Sequence, residues 1–373
     1  MLYLDNAATT LRKPLSVYLT LFKETVFKSY NAGRGTNKGS LYASETVVRT
    51  QEYLAKLLNV PNSQNIAFMP NATYALNSVI LGTERGHIVV SQMEHNSVMR
   101  PVHGLGNYSI AAANSDGFVS AGSFRRKIKK DTKLVICTHA SNVCGTIEPV
   151  EEISKLAHEN GALFLLDASQ SVGCIDVDNS KINADFIAFP GHKGLMAPLG
   201  TGGLYVKNIE TLSPIITGGT GSLSDSMEMP HIMPDMLHPG TLNTPAIAAM
   251  GAAAEYILKN REDIYRKERL ASEIFERTLK EELGDRVKIY GSGNKTGICT
   301  FNIKGFSSDE VQELTEDRIS VRSGYHCAAA AHLALGTANG GAVRASFGAF
   351  DNTAVPRRAA KIIAERIWKQ FDK

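Results

Sequence analysis

The chain has 373 residues and a formal net charge of +3, and hydrophobic residues make up 43% and charged residues 21% of it. This length and balance predict a sizeable buried core in about two domains and exclude a mostly disordered chain. The small net charge excludes nucleic acid or an anionic membrane as the main partner, and no apolar run approaches the roughly 20 residues of a bilayer span.

Short apolar runs alternate with helical patterns through the first two thirds of the chain. The runs cover 66–69, 87–91, 109–113, 134–138, 162–166, 185–189 and 203–206, and the helical patterns cover 40–58, 73–81, 120–130 and 150–159. Runs this short and this apolar are typical of strands that are buried on both faces of a sheet. The sequence therefore predicts an α/β fold with a mainly parallel sheet.

The pattern changes after about residue 245. A long charged helix, with a possible break, is predicted over 246–282, and it is followed by strands near 287–290, 297–303 and 319–322 and by a last helix over 354–370. This order favours a smaller α+β domain, built from residues 1–12 and 246–373, beside a large α/β domain over 13–245. The segment 215–245 has no clear period, and a long irregular stretch in a compact protein is usually functional.

The cysteines and the first residues indicate the compartment. The five cysteines stand at positions 137, 144, 174, 299 and 327, without the spacing of a disulfide scaffold or of a cysteine-based metal site. Residues 1–6 lack the basic stretch and apolar segment of a signal peptide. We therefore expect a cytoplasmic protein with reduced thiols and no bound metal ion.

Polar residues follow several of the runs, at the edge of a parallel sheet where ligands bind. Asn71, Ala72 and Thr73 come after the first run, where the free N–H groups of a helix start can hold an anion. An ordinary helix cap is the alternative for this segment. His95 comes after the second run, where an imidazole can stack on a planar ring or move a proton, although a lone histidine is more often structural.

Asp167 and Lys193 follow two further runs. A carboxylate that ends a buried strand needs a cationic partner, unless it only caps a helix. Lys193 lies between Gly191 and Gly194 in a tight turn, which suits a lysine that forms an imine, and Gln170 can donate to a nearby oxygen. These features together suit pyridoxal 5'-phosphate, which needs a phosphate site, a stacking partner, a carboxylate for its pyridine nitrogen and a lysine for its aldehyde.

Seven motifs along the chain resemble those of the class V aminotransferase family of fold-type I pyridoxal-phosphate enzymes. They are Leu4 to Thr10, Glu94 to Asn96, Ser141 to Gly145, Asp167 to Gln170, Gly191 to Gly194, Gly240 to Asn243 and Arg322 to Cys327. The last motif is similar to that of the cysteine desulfurase and selenocysteine lyase branch. The resemblance implies a large domain with a seven-stranded, mainly parallel sheet and a smaller α+β domain.

The resemblance also implies how the cofactor is held. Lys193 would form the covalent link and later move the α-proton of the substrate, Asp167 would pair with the pyridine nitrogen, and His95 would stack on the ring. Gln170 would contact the ring hydroxyl oxygen. The phosphate would be held by small and polar residues, namely Ala72, Thr73, His192 and, from the neighbouring subunit of a homodimer, Thr220.

On the substrate side, Arg344 and Asn142 would hold a carboxylate. The resemblance also places Asn142 among the cofactor contacts. A guanidinium in an apolar run favours such a planar anion, and a structural ion pair is the alternative. Cys327 would be the nucleophile that takes sulfur as a persulfide, on a loop whose His326 can help to lower the pKa of the thiol.

The implied reaction removes sulfur from L-cysteine and leaves L-alanine, and a sulfur-acceptor protein would complete the cycle. L-selenocysteine as the substrate, another class V reaction such as transamination or carbon–sulfur lysis, and a non-catalytic scaffold derived from the family stay open as alternatives. No motif in the sequence identifies the acceptor.

Several positions depart from the family pattern, among them Pro190, His238 and Ala328. Pro190 stands where a serine or threonine usually bonds the phosphate, so we expect one phosphate contact to be lost. His238 stands in a place that is usually acidic, and Ala328 replaces a common proline, so that a helix can extend over 328–331. These departures leave turnover and substrate choice open.

Overall fold

The structure is a computed structural model that describes residues 1–33, 35–291 and 293–371. The strands are β1 (Leu2–Tyr3), β2 (Ile66–Met69), β3 (His87–Ser91), β4 (Tyr108–Ala111), β5 (Thr132–Thr138), β6 (Leu163–Asp167), β7 (Phe186–Pro190), β8 (Gly202–Val206), β9 (Val287–Tyr290), β10 (Ile298–Ile303), β11 (Ile319–Ser320) and β12 (Val343–Ser346). The helices are α1 (Leu15–Phe27), α2 (Lys38–Leu58), α3 (Ala72–Gly82), α4 (Asn96–Leu105), α5 (Ala121–Arg125), α6 (Val150–Glu159), α7 (Asn179–Ile182), α8 (Thr244–Leu283), α9 (Ser308–Thr315), α10 (Ala329–Ala334) and α11 (Ala354–Phe371).

Strands β2 to β8 form one seven-stranded sheet in the order β2-β8-β7-β6-β5-β3-β4. Strands β3 to β7 are parallel to one another, and β8 runs antiparallel between β7 and β2. The predicted mainly parallel sheet of seven strands is confirmed. Because β2 points the same way as the parallel strands, the segments after β2, β3, β6 and β7 all leave the sheet at one edge.

Both faces of this sheet are covered, which explains why its strands are mostly apolar. In β5, Val135 and Cys137 pack into a cluster on one face, and Leu134 and Ile136 pack into a second cluster on the other face. Successive side chains of a strand point to opposite faces, so a strand covered on both sides has no polar position to alternate with.

The last part of the chain forms a smaller sheet in the order β12-β10-β9, with antiparallel pairing, while β1 pairs with β11 in parallel. Helix α8 is one unbroken helix of 40 residues, about 60 Å long, and it packs against α1, α2 and α11. The sequence left open a break in the helix predicted over 246–282, and the structure has a continuous helix there. The division of the chain into two domains at residue 245 stays a prediction.

Some elements differ from the sequence-based expectation. Helix α5 ends at Arg125, well before the predicted residue 130. Helices α1, α4, α7 and α9 were not predicted. In α1 the reason is visible, because apolar residues lie on opposite sides of the helix: Val17 packs into the core, whereas Leu19 and Phe22 are exposed. The segment 215–245 is irregular, as expected, apart from a 3-10 turn at Asp235–Leu237. None of the described helices has the length and apolar character needed to cross a membrane.

His238 accepts a hydrogen bond from the edge of the large sheet. Strand β2 lies at the edge of the large sheet, and the outward N–H of Phe68 donates to Nε2 of His238 at 2.7 Å. The two rings also stack, with centroids 5.8 Å apart and planes 12° apart. Burial lowers the pKa of His238 from 6.5 to about 4, which keeps the imidazole neutral and able to accept.

We predict that His238→Ala destabilises the protein by about 1–3 kcal/mol at pH 8, because the buried N–H of Phe68 loses its partner. In the native state the His238 imidazole stays neutral down to about pH 4, whereas in the unfolded chain it takes up a proton near its ordinary pKa of 6.5. The advantage of the wild type over the variant should therefore shrink as the pH falls from 6.5 toward about 4. Urea unfolding at several pH values measures this difference.

His103→Ala serves as the matched control, because His103 is exposed on α4. Its effect should stay within about 0.5 kcal/mol. A His238→Ala variant as stable as this control would contradict the assigned role.

Candidate active site

A cavity of about 230 Å³ opens at the carboxyl edge of the large sheet. The residues predicted for the site line it together although they are far apart in the chain. They are Ala72, Thr73, His95, Asn142, Asp167, Gln170, His192, Lys193, Cys327 and Arg344. Thr220 does not line this cavity, and its hydroxyl lies 3.0 Å from that of Ser222 in its own loop.

Lys193 lies in a turn that closes directly after β7. The N–H of Gly191 donates to the carbonyl of Thr201 at 2.7 Å, and a Cβ at Gly191 would clash with the Thr201 hydroxyl. A Cβ at Gly194 would clash with the sulfur of Cys174. The glycines near Lys193 are therefore required because backbone and side chains approach closely there and hold the lysine at the cavity wall.

The amine of Lys193 is shielded from bulk water. Burial lowers its pKa from 10.5 to about 8; the carboxylate of Asp167 opposes this shift, and the charges of Arg344 and Arg322 add to it. Part of the amine is therefore uncharged near neutral pH, as attack on an aldehyde requires.

Asp167 ends β6 and is 2% exposed. Its Oδ1 accepts the N–H of Ser169 at 2.9 Å, while no described residue bonds to Oδ2. This second oxygen is therefore available to a cationic or N–H donor in the cavity.

Glu94 is a second buried acid, and the sequence gives no signal for it beyond its place in the Glu94–Asn96 motif. Its Oε1 accepts the hydroxyl of Ser91 and the N–H of Thr138, which ties the end of β3 to the end of β5. Burial, reinforced by the charge of Asp167, raises the pKa of Glu94 to about 8. Glu94 is therefore neutral at pH 7, and Asp167, the neighbouring acid, lines the cavity.

His95 caps the N-terminus of α4 and lines the cavity. Its Nδ1 accepts the N–H of Ser97 at 3.0 Å and lies 2.9 Å from the Ser97 hydroxyl. That hydroxyl in turn lies 2.8 Å from the hydroxyl of Thr73. Burial, followed by the charge of Lys193, lowers the pKa of His95 to about 4, so the ring is neutral.

The start of α3 offers an anion site. Asn71 caps the helix by accepting the N–H of Tyr74 at 3.1 Å, which leaves the N–H groups of Ala72 and Thr73 directed out of the helix end. Among the described residues, the buried Nδ1 of His192 has no partner. These donors, with the Lys193 amine and the free oxygen of Asp167, fit pyridoxal phosphate at its phosphate, aldehyde and ring nitrogen, even though Pro190 supplies no hydroxyl.

The first motif, Leu4 to Thr10, braces the lysine turn. The N–H of Thr10 donates to the carbonyl of His192 at 2.9 Å, and its hydroxyl donates to the carbonyl of Lys193 at 3.1 Å. The amide of Gln170 donates to the carbonyl of Ala7 at 3.0 Å. One N–H of Gln170 is thus already used, and its other N–H is the one that can reach a cofactor oxygen.

Arg344 is both ion-paired and available. Its Nη2 donates to Asp5 at 2.7 Å and its Nη1 donates to the carbonyl of Asn142 at 2.8 Å. Its Nε is buried and has no partner among the described residues. The structural ion pair and the carboxylate site are therefore compatible, since the two bonds leave three of the five N–H donors of the guanidinium unused. Asp5, like Glu94, was signalled only by its place in a motif.

Cys327 lies on a constrained loop. His326 and Cys327 have positive φ angles of 48° and 57°, in the left-handed region that side chains disfavour. The loop is held there because Asn142 Nδ2 donates to the His326 carbonyl and the Asn96 N–H donates to the Cys327 carbonyl, both at 2.8 Å. The side chain of Cys327 is exposed, and α10 begins two residues later at Ala329.

His326, which was expected to assist the Cys327 thiol, has both ring nitrogens engaged within the loop. The Nε2 of His326 donates to the Arg322 carbonyl at 3.2 Å, so its Nδ1 accepts from His332 at 3.2 Å. Burial and the charge of Arg344 lower the pKa of His326 to about 3. The ring is neutral with both nitrogens engaged, and it braces the loop.

Comparisons with known proteins agree with this geometry. A family model described as "Aminotransferase class-V" matches residues 2–354. A "Probable cysteine desulfurase" of Methanothermobacter thermautotrophicus is 36% identical over 364 residues, which cover 92% of this chain and 89% of that protein. A "Cysteine desulfurase" of Escherichia coli O157:H7 is 30% identical over 346 residues, which cover 87% of this chain and 84% of that protein. The apo structure of a cysteine desulfurase from Thermococcus onnurineus NA1 has a TM-score of 0.91 at 30% identity, covering 99% of this chain and 95% of that chain.

We predict that Lys193 in the cofactor-free protein reacts with an amine-selective reagent with a midpoint near pH 8. In Asp167→Asn the midpoint should move lower, because the carboxylate that favours the ammonium form is removed. Competitive labelling across a pH series, read by peptide mass spectrometry, measures both midpoints. Lys259, which is fully exposed, is the internal control, and a Lys193 profile that coincides with that of Lys259 would show that its amine is not desolvated.

Proposed function

The chain belongs to the class-V aminotransferase family, and we propose that it acts as a cysteine desulfurase, taking sulfur from L-cysteine onto Cys327 and releasing L-alanine. The observation that carries this proposal is that an exposed thiol, Cys327, lines the same cavity as Lys193 and Asp167. The enzymes of this family depend on pyridoxal phosphate, and the cavity residues fit that cofactor.

Pyridoxal phosphate, when bound, supplies an electron sink, so that a bond to the α-carbon of an attached amino acid can break heterolytically. Lys193 would provide the amine that holds the cofactor, and the same amine would take the α-proton of the substrate. The Oδ2 of Asp167 would pair with the pyridine nitrogen and keep it protonated. Oδ1 is fixed by Ser169, so the carboxylate keeps its orientation throughout.

The substrate carboxylate is expected at Arg344. Arg344 lines the cavity, and its guanidinium supplies charge-assisted donors in a buried setting, where such bonds are strongest. Asn142 lies beside it and joins this contact to the Cys327 loop through its bond to the His326 carbonyl. Substrate that engages Asn142 would compete with that bond and favour movement of the loop.

Sulfur transfer then needs only the thiol. As a thiolate, Cys327 attacks the substrate sulfur and forms the S–S bond of a persulfide, while the Cβ–S bond breaks and its electron pair goes to the carbon side. Two protons delivered to the carbon skeleton complete L-alanine. Turnover requires an acceptor, and we propose a protein acceptor, since Cys327 and neighbouring Tyr325 are exposed.

We predict that Cys327→Ala lowers the rate of alanine release from L-cysteine by about 100-fold or more, because the nucleophile is lost. Cys299→Ala is the matched control, since Cys299 is buried in β10, and it should keep its rate per folded molecule. Alanine is measured in the presence of a reductant that removes the persulfide. Undiminished alanine production by Cys327→Ala would remove Cys327 from the mechanism.

The same variants discriminate the remaining alternatives. With L-selenocysteine, whose carbon–selenium bond is weaker, Cys327→Ala should keep much of its rate if that amino acid is also a substrate. Stoichiometric keto acid without alanine would instead indicate transamination. A purified protein that stays colourless after incubation with pyridoxal phosphate would indicate a non-catalytic scaffold.

We also propose that the enzyme is a homodimer in which Thr220 reaches the phosphate of the partner's site. Support comes from two features: Thr220 lies outside its own cavity, and α1 exposes an apolar face of Leu15, Leu19, Phe22 and Val26. A contiguous apolar face is typical of an interface.

All five cysteines are unpaired, which supports a reducing, cytoplasmic location.

We predict that the wild type has twice the mass of one chain in light scattering and that Phe22→Glu shifts it toward the monomer, because a charge is placed in an apolar interface. Phe118→Glu, on the exposed loop between β4 and α5, is the control and should leave the mass unchanged. A wild type that stays monomeric would rule out the shared site.

A further inference from the structure

The hydrogen bonds around His95 determine where its proton lies. A backbone N–H is always a donor, so the nitrogen that accepts the N–H of Ser97, Nδ1, must have a free lone pair. A neutral imidazole carries one proton, which must then be on Nε2. Within the described part of the chain, Nε2 makes no hydrogen bond, and the ring lines the cavity, so this N–H is open to a ligand.

The Ser97 hydroxyl reinforces the arrangement and extends it to the phosphate site. It lies between Nδ1 of His95 at 2.9 Å and the hydroxyl of Thr73 at 2.8 Å. With Nδ1 as an acceptor, the consistent direction is from Thr73 to Ser97 and from Ser97 to His95. If Thr73 instead turns its proton to a phosphate, the backbone bond from Ser97 still holds Nδ1 as an acceptor.

Protonation of His95 would place a second N–H against the N–H of Ser97 and remove the cap of α4. The neutral ring can therefore donate a hydrogen bond from Nε2, but it has no free lone pair with which to take a proton. This leaves the amine of Lys193 as the group that receives the α-proton in the proposed reaction.

We propose that Ser97 is a positioning residue for the reaction, which holds Nδ1 of His95 as an acceptor through its amide and hydroxyl and so presents His95 to substrate as an Nε2–H donor only. The proposal rests on the proposed function only where it refers to a substrate. The tautomer itself follows from the hydrogen bonds of the chain.

The tautomer is measured by nitrogen NMR of the protein labelled with ¹⁵N-histidine, with the His95 signals assigned by comparison with His95→Gln. We expect a protonated Nε2 and an unprotonated Nδ1, unchanged between about pH 6 and 9, both without cofactor and with pyridoxal phosphate bound. A proton on Nδ1, or titration of the ring in this range, would overturn the proposal.

Ser97→Ala removes the hydroxyl and keeps the amide. We expect the Nδ1 signal to shift and kcat for alanine release to fall by about three- to tenfold with KM within about twofold, since one neutral hydrogen bond is lost. Ser97→Thr should restore both. Ser78→Ala, which removes a hydroxyl bonded only within α3, should change neither.

The NMR signals and the release of alanine test the role of Ser97 and the proposed function separately. An unshifted Nδ1 signal in Ser97→Ala, or an equal shift in Ser78→Ala, would overturn the role of Ser97 whatever the activity. A protein with the expected signals that releases no alanine would refute the proposed function while leaving the tautomer of His95 established.

Discussion

The electrostatic attraction between Lys193 and Asp167 across a desolvated cavity is the interaction on which the rest of the site depends. Both residues line the same cavity, and neither forms an ion pair within the described part of the chain. Burial lowers the pKa of Lys193 to about 8, and Asp167 limits that fall. A poorly solvated charge raises the free energy of the folded protein unless an opposite charge compensates it. Each of the two charged groups therefore stabilises the other, and the cavity leaves room for a ring.

Several other buried groups around Lys193 and Asp167 are neutral. Glu94 carries a proton at neutral pH because burial, reinforced by the charge of Asp167, raises its pKa to about 8. His95, His326 and His238 accept hydrogen bonds that require an unprotonated nitrogen, and burial lowers the pKa of each ring well below neutrality. The polar network is therefore satisfied mainly by oriented neutral donors and acceptors, which are strong in a low dielectric.

The two ends of the chain meet at the site. Asp5 bonds to Arg344, 339 residues later, and Thr10 bonds to the backbone of the lysine turn. One short segment thus joins the arginine expected to bind substrate to the lysine expected to react with it. The Cys327 loop is joined to the same group through Asn142, so that binding, covalent attachment and sulfur transfer depend on a common set of contacts.

The sequence by itself determined the local features of this protein. Short apolar runs predicted the strands, and glycines near Lys193 predicted a tight turn, because backbone geometry and side-chain size act within a few residues. Tertiary structure alone decided that β8 inserts antiparallel between β7 and β2, that His238 satisfies the edge of β2, and that Asp5 and Ser97 orient Arg344 and His95. Such partners cannot be deduced from local patterns, since a hydrogen bond between distant residues depends on which surfaces the whole chain brings together.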